Sequence, residues 1–143
     1  MYLKTDGSNA VVEWPYAIET LKQENPNVSF PDTIPESVLN SYNVHLYLES
    51  AMPVYDGMTE TLVRDTPALQ DGTWVQGWTK QNLPNDMAED NVRRERNRLL
   101  SETDHLALSD QTLTTEMTTY RQALRDVPSQ SGFPFNVTWP TKP

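Results

Sequence analysis

Short runs of alternating apolar and polar residues, broken by turn residues, fill the first half of the chain. Longer apolar stripes at helical spacing fill the second half. In "YLKTDGSNAVVEW" two strand-like runs flank Asp6-Gly7, a hairpin signal lengthened by Ser8-Asn9. The next segment, "PYAIETLKQENP", predicts a short helix: Pro15 sits near its start, Tyr16, Ile18 and Leu21 share a side, and Asn25-Pro26 stops it. "NVSFPDTIPESVLNSY" reads as loop and then a single helical turn primed by Pro35. "NVHLYLES" alternates Val44, Leu46 and Leu48 against His45, Tyr47 and Glu49, which predicts a strand that buries the first set. "TETLVRDTPALQDGTWVQGWTKQNL" holds two more strand-like runs around Asp71-Gly72, with Trp74, Gln76 and Trp78 expected on one face and Val75, Gly77 and Thr79 on the other.

From Pro84 the period changes. "PNDMAEDNVRRERNRLL" has a capping Asn85 or Asp86, acids early and arginines late, an order that suits the helix dipole. Val92, Leu99 and Leu100 share a face, predicting a helix over about 86–104. "HLALSDQTL" reads as a connector. Thr114 then caps a second helix to about Asp126, stopped by Pro128, with Met117, Tyr120, Leu124 and Val127 as its stripe. The expected fold class is therefore α+β: a small α/β-meander lobe over residues 1–83, followed by a helical hairpin over 84–143 that ends in an extended tail of prolines and aromatics. Charge marks the same boundary, because residues 1–83 hold 4 basic and 11 acidic side chains and residues 84–143 hold 7 and 9.

Composition removes several functions. The 143 residues carry a net charge of −9, which argues against a nucleic-acid partner and against an anionic membrane surface. With no cysteine, disulfides and thiolate chemistry are excluded. Hydrophobic residues make up 36% and mean hydropathy is −0.65, so core material is sparse. The start "MYLKTDGSNA" has no basic segment leading into an apolar run, and no apolar stretch nears the roughly 20 residues of a membrane span. A cytoplasmic protein is expected.

Candidate chemistry is thin. His45 and His105 lie outside any metal-ligand spacing, and Glu89-Asp90 are adjacent and so diverge on a helix. G-x-S-x-G, G-x-G-x-x-G and Walker sequences are missing, so no catalytic, cofactor-binding or metal residues are assigned and the chain is read as a non-enzyme. The arginines of "RRERNR" suit a solvated face, with Glu89–Arg93 and Asp90–Arg94 as i,i+4 pairs. Aromatic surface remains. In "FPFNVTWPTKP", Phe133, Phe135, Val137 and Trp139 fall on one side of an extended chain, which buries them only if it lies in a groove on its own domain or on a partner. Packing against the Tyr120 helix is expected. Trp14, Phe30, Trp74 and Trp78 in the first lobe, with Tyr120, Phe133, Phe135 and Trp139 in the second, are the candidate partner-binding residues.

The second lobe resembles the tail assembly chaperone-like domain of tailed bacteriophages. The resemblance rests on Arg93, Arg96, Asn97, Arg98, Leu99, Leu100 and Asp104, on the run from Tyr120 to Pro128, and on Gly132-Phe133-Pro134 and Trp139-Pro140. His105 stands where the family pattern has a tryptophan. In the first lobe, "WPYAIETLKQENPNVSFP" and "DGTWVQGW" resemble a module often joined to that domain in phage proteins. The resemblance implies a protein encoded beside a tail fibre gene, acting in the host cytoplasm to help that fibre fold or trimerise. It implies the tail fibre as partner and, for a trimeric fibre, a 3:3 complex by symmetry. It implies no catalytic residues. A structural virion protein kept on the fibre or baseplate is the alternative, and a glycan-binding or glycan-cleaving module is a third class.

Overall fold

A computed structural model describes residues 1–108 and 110–143; Ser109, in the expected connector, lies outside the described residues. The chain forms two compact units, one of Met1–Val54 with Val63–Thr79 and one of Tyr55–Leu62 with Lys80–Pro143.

In the first unit, β1 (Tyr2–Thr5) and β2 (Val11–Tyr16) form the expected antiparallel hairpin. The Asp6 carboxylate closes its loop by accepting from the Ala10 and Ser8 backbone N–H groups and from the Ser8 hydroxyl, which holds its pKa below the ordinary aspartate value. The following helix, α1 (Ile18–Glu24), starts later than the sequence suggests, since Pro15 and Tyr16 belong to β2. Proline is tolerated there because β2 is an edge strand. Pro35 caps α2 (Glu36–Ser41), which runs past the expected single turn, and Asn43 at positive φ turns the chain into β3 (Val44–Glu49).

A hairpin of β5 (Ala68–Gln70) and β6 (Thr73–Gln76) completes a five-stranded sheet in the order β2-β1-β3-β6-β5. Asp71 (φ 47°) and Gly72 (φ 81°) make its two-residue turn. Because β3 and β6 run parallel, the sheet is more than a plain meander. The expected continuous strand through Trp74 and Trp78 is broken at Gly77: β6 joins the large sheet, while β7 (Trp78–Asn82) pairs with β4 (Glu60–Arg64) in a separate two-stranded sheet. At the break the Gly77 carbonyl accepts from Asp65 N–H (3.0 Å), and glycine leaves room for the Asp65 carboxylate, which a Cβ there would meet at 2.9 Å.

Burial along β3 corrects the expected face. Val44 is buried with Tyr16, Leu21 and Leu39, but Leu46 and Leu48 are 45% and 55% exposed and Tyr47 is buried instead. The sheet buries both faces in different places. Leu21 of α1 and Leu39 of α2 meet Val44 on one face, whereas Leu3, Tyr47 and Trp74 form a second cluster flanked by Val11 and Trp14. A period of two reveals that the faces differ; it does not reveal how far a covering helix reaches.

In the second unit, α3 (Asn85–Ser101) ends before the expected residue 104, and a 3₁₀ turn occupies Asp104–Ala107. Ala88 and Val92 are its buried residues, and Leu99 and Leu100 are half-buried. Of the two expected ion pairs, Glu89–Arg93 forms at 2.6 Å, while Arg94 reaches Asn91 instead of Asp90. Residues 55–62 join this unit through polar bonds: the Asn91 amide donates to the Met58 carbonyl (2.9 Å) and Leu83 N–H to the Thr59 carbonyl (2.8 Å). Helix α4 (Thr115–Asp126) matches its expectation. The Thr114 hydroxyl accepts from Met117 N–H at 3.2 Å, and Met117, Tyr120 and Leu124 are buried, with Val127 just beyond.

The tail is ordered but not simply extended. Turns occupy residues 131–135, which interrupts the alternation expected from Phe133 to Trp139. Phe133 is half-buried beneath the Arg93 guanidinium, Phe135 is 39% exposed, and Trp139 packs on the Met117–Tyr120–Leu124 cluster. One amide clamps the end: Gln130 accepts from Thr138 N–H (2.8 Å) and donates to the Thr138 carbonyl (2.9 Å).

Several surface carboxylates are held in their charged form. Glu24 accepts from the Lys4 ammonium (2.5 Å) and the Tyr16 hydroxyl (2.9 Å), Glu89 from Arg93 and Asn85, and Glu95 from Arg98. These donors lower all three pKa values below the ordinary glutamate value of about 4.5. A depressed folded value adds stability that is present above about pH 4.5 and is lost as pH falls through the folded values. Thermal melts from pH 7 to pH 3 should therefore show a falling midpoint below about pH 4.5. The Glu24→Gln/Glu89→Gln/Glu95→Gln variant should show a shallower fall.

Candidate protein-interaction surfaces

The first unit's aromatics divide by burial. Trp74 is a core residue, pressed between Leu3 and Tyr47, with the His45 ring 5.8 Å from its own. Trp14 is half-buried and meets Tyr47 edge-on at 6.4 Å. Phe30 is half-buried against Tyr42. Trp78 is half-buried and fixed from two sides: its indole N–H donates to the Ser50 carbonyl (3.2 Å), and the Arg64 guanidinium lies 5.4 Å over its ring. Arg64 is itself held by Glu49 at 3.1 Å. In the second unit, Tyr120 is core, Trp139 and Phe133 are half-buried, and Phe135 is the most open of the four aromatics. The eight aromatics thus fall four in each unit. Trp74 and Tyr120 hold their units together, and Trp14, Phe30, Trp78, Phe133, Phe135 and Trp139 keep surface that a partner can reach.

His45 gathers a row of polar groups. Its Nδ1 is 3.0 Å from the Asn40 amide oxygen and its Nε2 is 3.1 Å from the Thr5 hydroxyl. With Nδ1–H donating to Asn40, Nε2 accepts from Thr5. Hydroxyl, imidazole and amide in line have the form of an activated nucleophile. Thr5 is buried, however, so no substrate reaches its oxygen, and the row is a satisfied polar network. Burial lowers the His45 pKa and Glu36 partly opposes that, so the neutral ring that this bonding needs is favoured. Among the described residues no group of three or more His, Asp or Glu side chains is placed to hold a metal ion, and no helix is long and apolar enough to cross a membrane.

Sequence reasoning missed Arg121. It lies within the "YRQALRD" run of α4, where an arginine reads as surface. Its guanidinium is buried and donates to the Leu100 carbonyl (3.0 Å), the Thr103 hydroxyl (2.5 Å) and the Asp104 carboxylate (2.8 Å). The first of these is one of the last carbonyls of α3, where it also accepts from Thr103 N–H (3.1 Å) and where a cation suits the helix dipole. One side chain thereby ties α4 to the end of α3. The available signal was its position, one residue after the stripe residue Tyr120, which puts it at the edge of the buried face.

The second unit is thus a helical hairpin locked by a buried arginine and sealed by an ordered aromatic tail. Residues 89–143 match the family of phage tail assembly chaperone proteins. This chain therefore carries a phage tail assembly chaperone-like C-terminal domain, and the match supports a chaperone role in tail assembly, working with a phage tail protein. Such a role is one of assembly rather than catalysis. Searches of curated proteins and of solved structures find no match.

Proposed function

We propose that this protein is a tail fibre assembly chaperone that acts in the host cytoplasm, binds the distal part of its cognate tail fibre and assists its folding and trimerisation. The observation that carries the reading is the family match over residues 89–143, most of the hairpin and all of the tail. Surface chemistry supports it. Fibre tips are rich in strands, and unpaired strand edges and apolar patches aggregate while assembly is incomplete. An acidic chain with reachable aromatics in both units can cover such a tip and keep it in solution. A three-fold fibre presents three equal sites, so a 3:3 complex follows from symmetry. Co-purification of the tagged fibre with this chain, followed by mass measurement of the complex, tests binding and stoichiometry together. A fibre that elutes free of the chain at every concentration would refute direct binding, and a complex with one copy per trimer would refute the 3:3 arrangement.

A further inference from the structure

We propose that the β5 edge, with the mixed polar and apolar cleft beside it, is where the first unit takes up an extended, basic strand of the tail protein, which adds to the sheet as a sixth strand. The inference rests on the chaperone reading above and names a surface for it. The two edges of the five-stranded sheet differ. At β2, Pro15 has no N–H to offer and Glu13 adds charge, two devices that guard an edge against pairing. At β5 all three residues, Ala68 to Gln70, are exposed and none is proline.

The turn fixes which groups are free. A two-residue turn at Asp71-Gly72 makes Gln70 and Thr73 the hydrogen-bonded pair next to it, so Leu69 and Trp74, opposite each other, form the non-hydrogen-bonded pair. The N–H and C=O of Leu69 therefore point away from β6 to the open side. One added strand pairs with both.

Three residues of edge backbone give little affinity alone. The cleft beside them adds side-chain recognition. It has a volume of about 420 Å³ and is bordered, next to the β5–β6 turn, by Leu69, Gly72, Thr73 and Trp74, of which Leu69 is 52% exposed. Leu69, on the edge strand itself, suits an apolar side chain of an alternating strand. Charge sets the rest of the partner's chemistry. Glu36 lines the cleft and Asp71 adjoins it through Gly72, and neither carboxylate is in an ion pair among the described residues. The cleft has no lysine or arginine in its lining, and the unit around it holds 9 acidic and 3 basic side chains. A strand with lysine or arginine near its apolar positions meets all of these features, and association with it should weaken as salt rises.

The test uses the full chain and the purified cognate tail fibre. Leu69→Pro removes the outward N–H without touching the β5–β6 ladder and is compatible with an edge strand. It should weaken binding by about tenfold or more while the melting temperature stays near that of the parent. Glu36→Gln/Asp71→Asn keeps the side-chain shapes and should flatten the salt dependence. Hydrogen exchange should show the Leu69 amide protected in the parent complex. Parent-like affinity of both variants, with Leu69 unprotected in a parent complex that does form, would overturn the β5 site and leave the chaperone reading standing. If the parent chain itself binds no fibre, both fall together.

Discussion

Replacing Arg121 with methionine is expected to destabilise the second unit by about 2–3 kcal/mol. Methionine keeps much of the buried volume but donates to nothing. The wholly buried Thr103 hydroxyl oxygen then loses its donor, the Leu100 carbonyl keeps its bonds from Thr103, and the end of α3 loses its cation. The ion pair adds little to that figure, because the Asp104 side chain is 64% exposed and water screens it. For a unit of this size the melting midpoint should drop on the order of 10 °C. Arg121→Lys should recover only part of the loss, since an ammonium cannot span the three acceptors with the fixed fork of a guanidinium. A midpoint within 2 °C of the parent for Arg121→Met, roughly 0.5 kcal/mol or less, would mean that the guanidinium is not the tie between the helices.

Gly132→Ala should have an effect of similar size, about 2–3 kcal/mol. A Cβ there would overlap the Asn136 carbonyl oxygen and come within 2.9 Å of the Asn136 Cβ. The first obstacle is backbone and cannot swing aside. The turn is also tied by Asn136 N–H donating to the Gly132 carbonyl at 2.7 Å. Relieving the overlap displaces Phe133 to Asn136, and with them the Gln130–Thr138 clamp and the seat of Trp139 on α4. Beyond the lower melting point, the Thr138 amide should lose its protection from hydrogen exchange while amides in the middle of α4 keep theirs. If Thr138 stays protected, the turn absorbs the methyl group and the tail does not depend on this glycine.

These two residues also mark where the sequence is legible. Local signals carried through wherever one residue dictates one conformation: Asp71-Gly72 as a two-residue turn, Thr114 as a cap, Met117 to Val127 as a buried stripe. Signals that depend on what lies across the fold did not. Leu46 and Leu48 look buried by alternation, but the buried leucines of α1 and α2, Leu21 and Leu39, cluster with Val44 alone of the β3 residues. Arg121 looks exposed by type, yet the end of α3 supplies acceptors that no local pattern shows. The strand through Trp74 and Trp78 looks continuous, yet Gly77 breaks it where the Asp65 carboxylate comes close. In the tail, odd-numbered spacing overlooked the turn closed between Gly132 and Asn136, so Phe135 faces water while Trp139 packs on α4. The aromatics chosen for a partner share this limit. Side-chain type marks a capacity for contact, but only the fold separates Trp74 and Tyr120, which build the units, from Trp78 and Phe135, which keep reachable surface.

The most direct test of the chaperone role is the yield of soluble tail fibre trimer made in cells with and without this chain. A chaperone raises that yield severalfold, and the Arg121→Met variant, with its weakened second unit, should raise it less. Equal yields of soluble trimer in the presence and absence of the chain would contradict an assembly role.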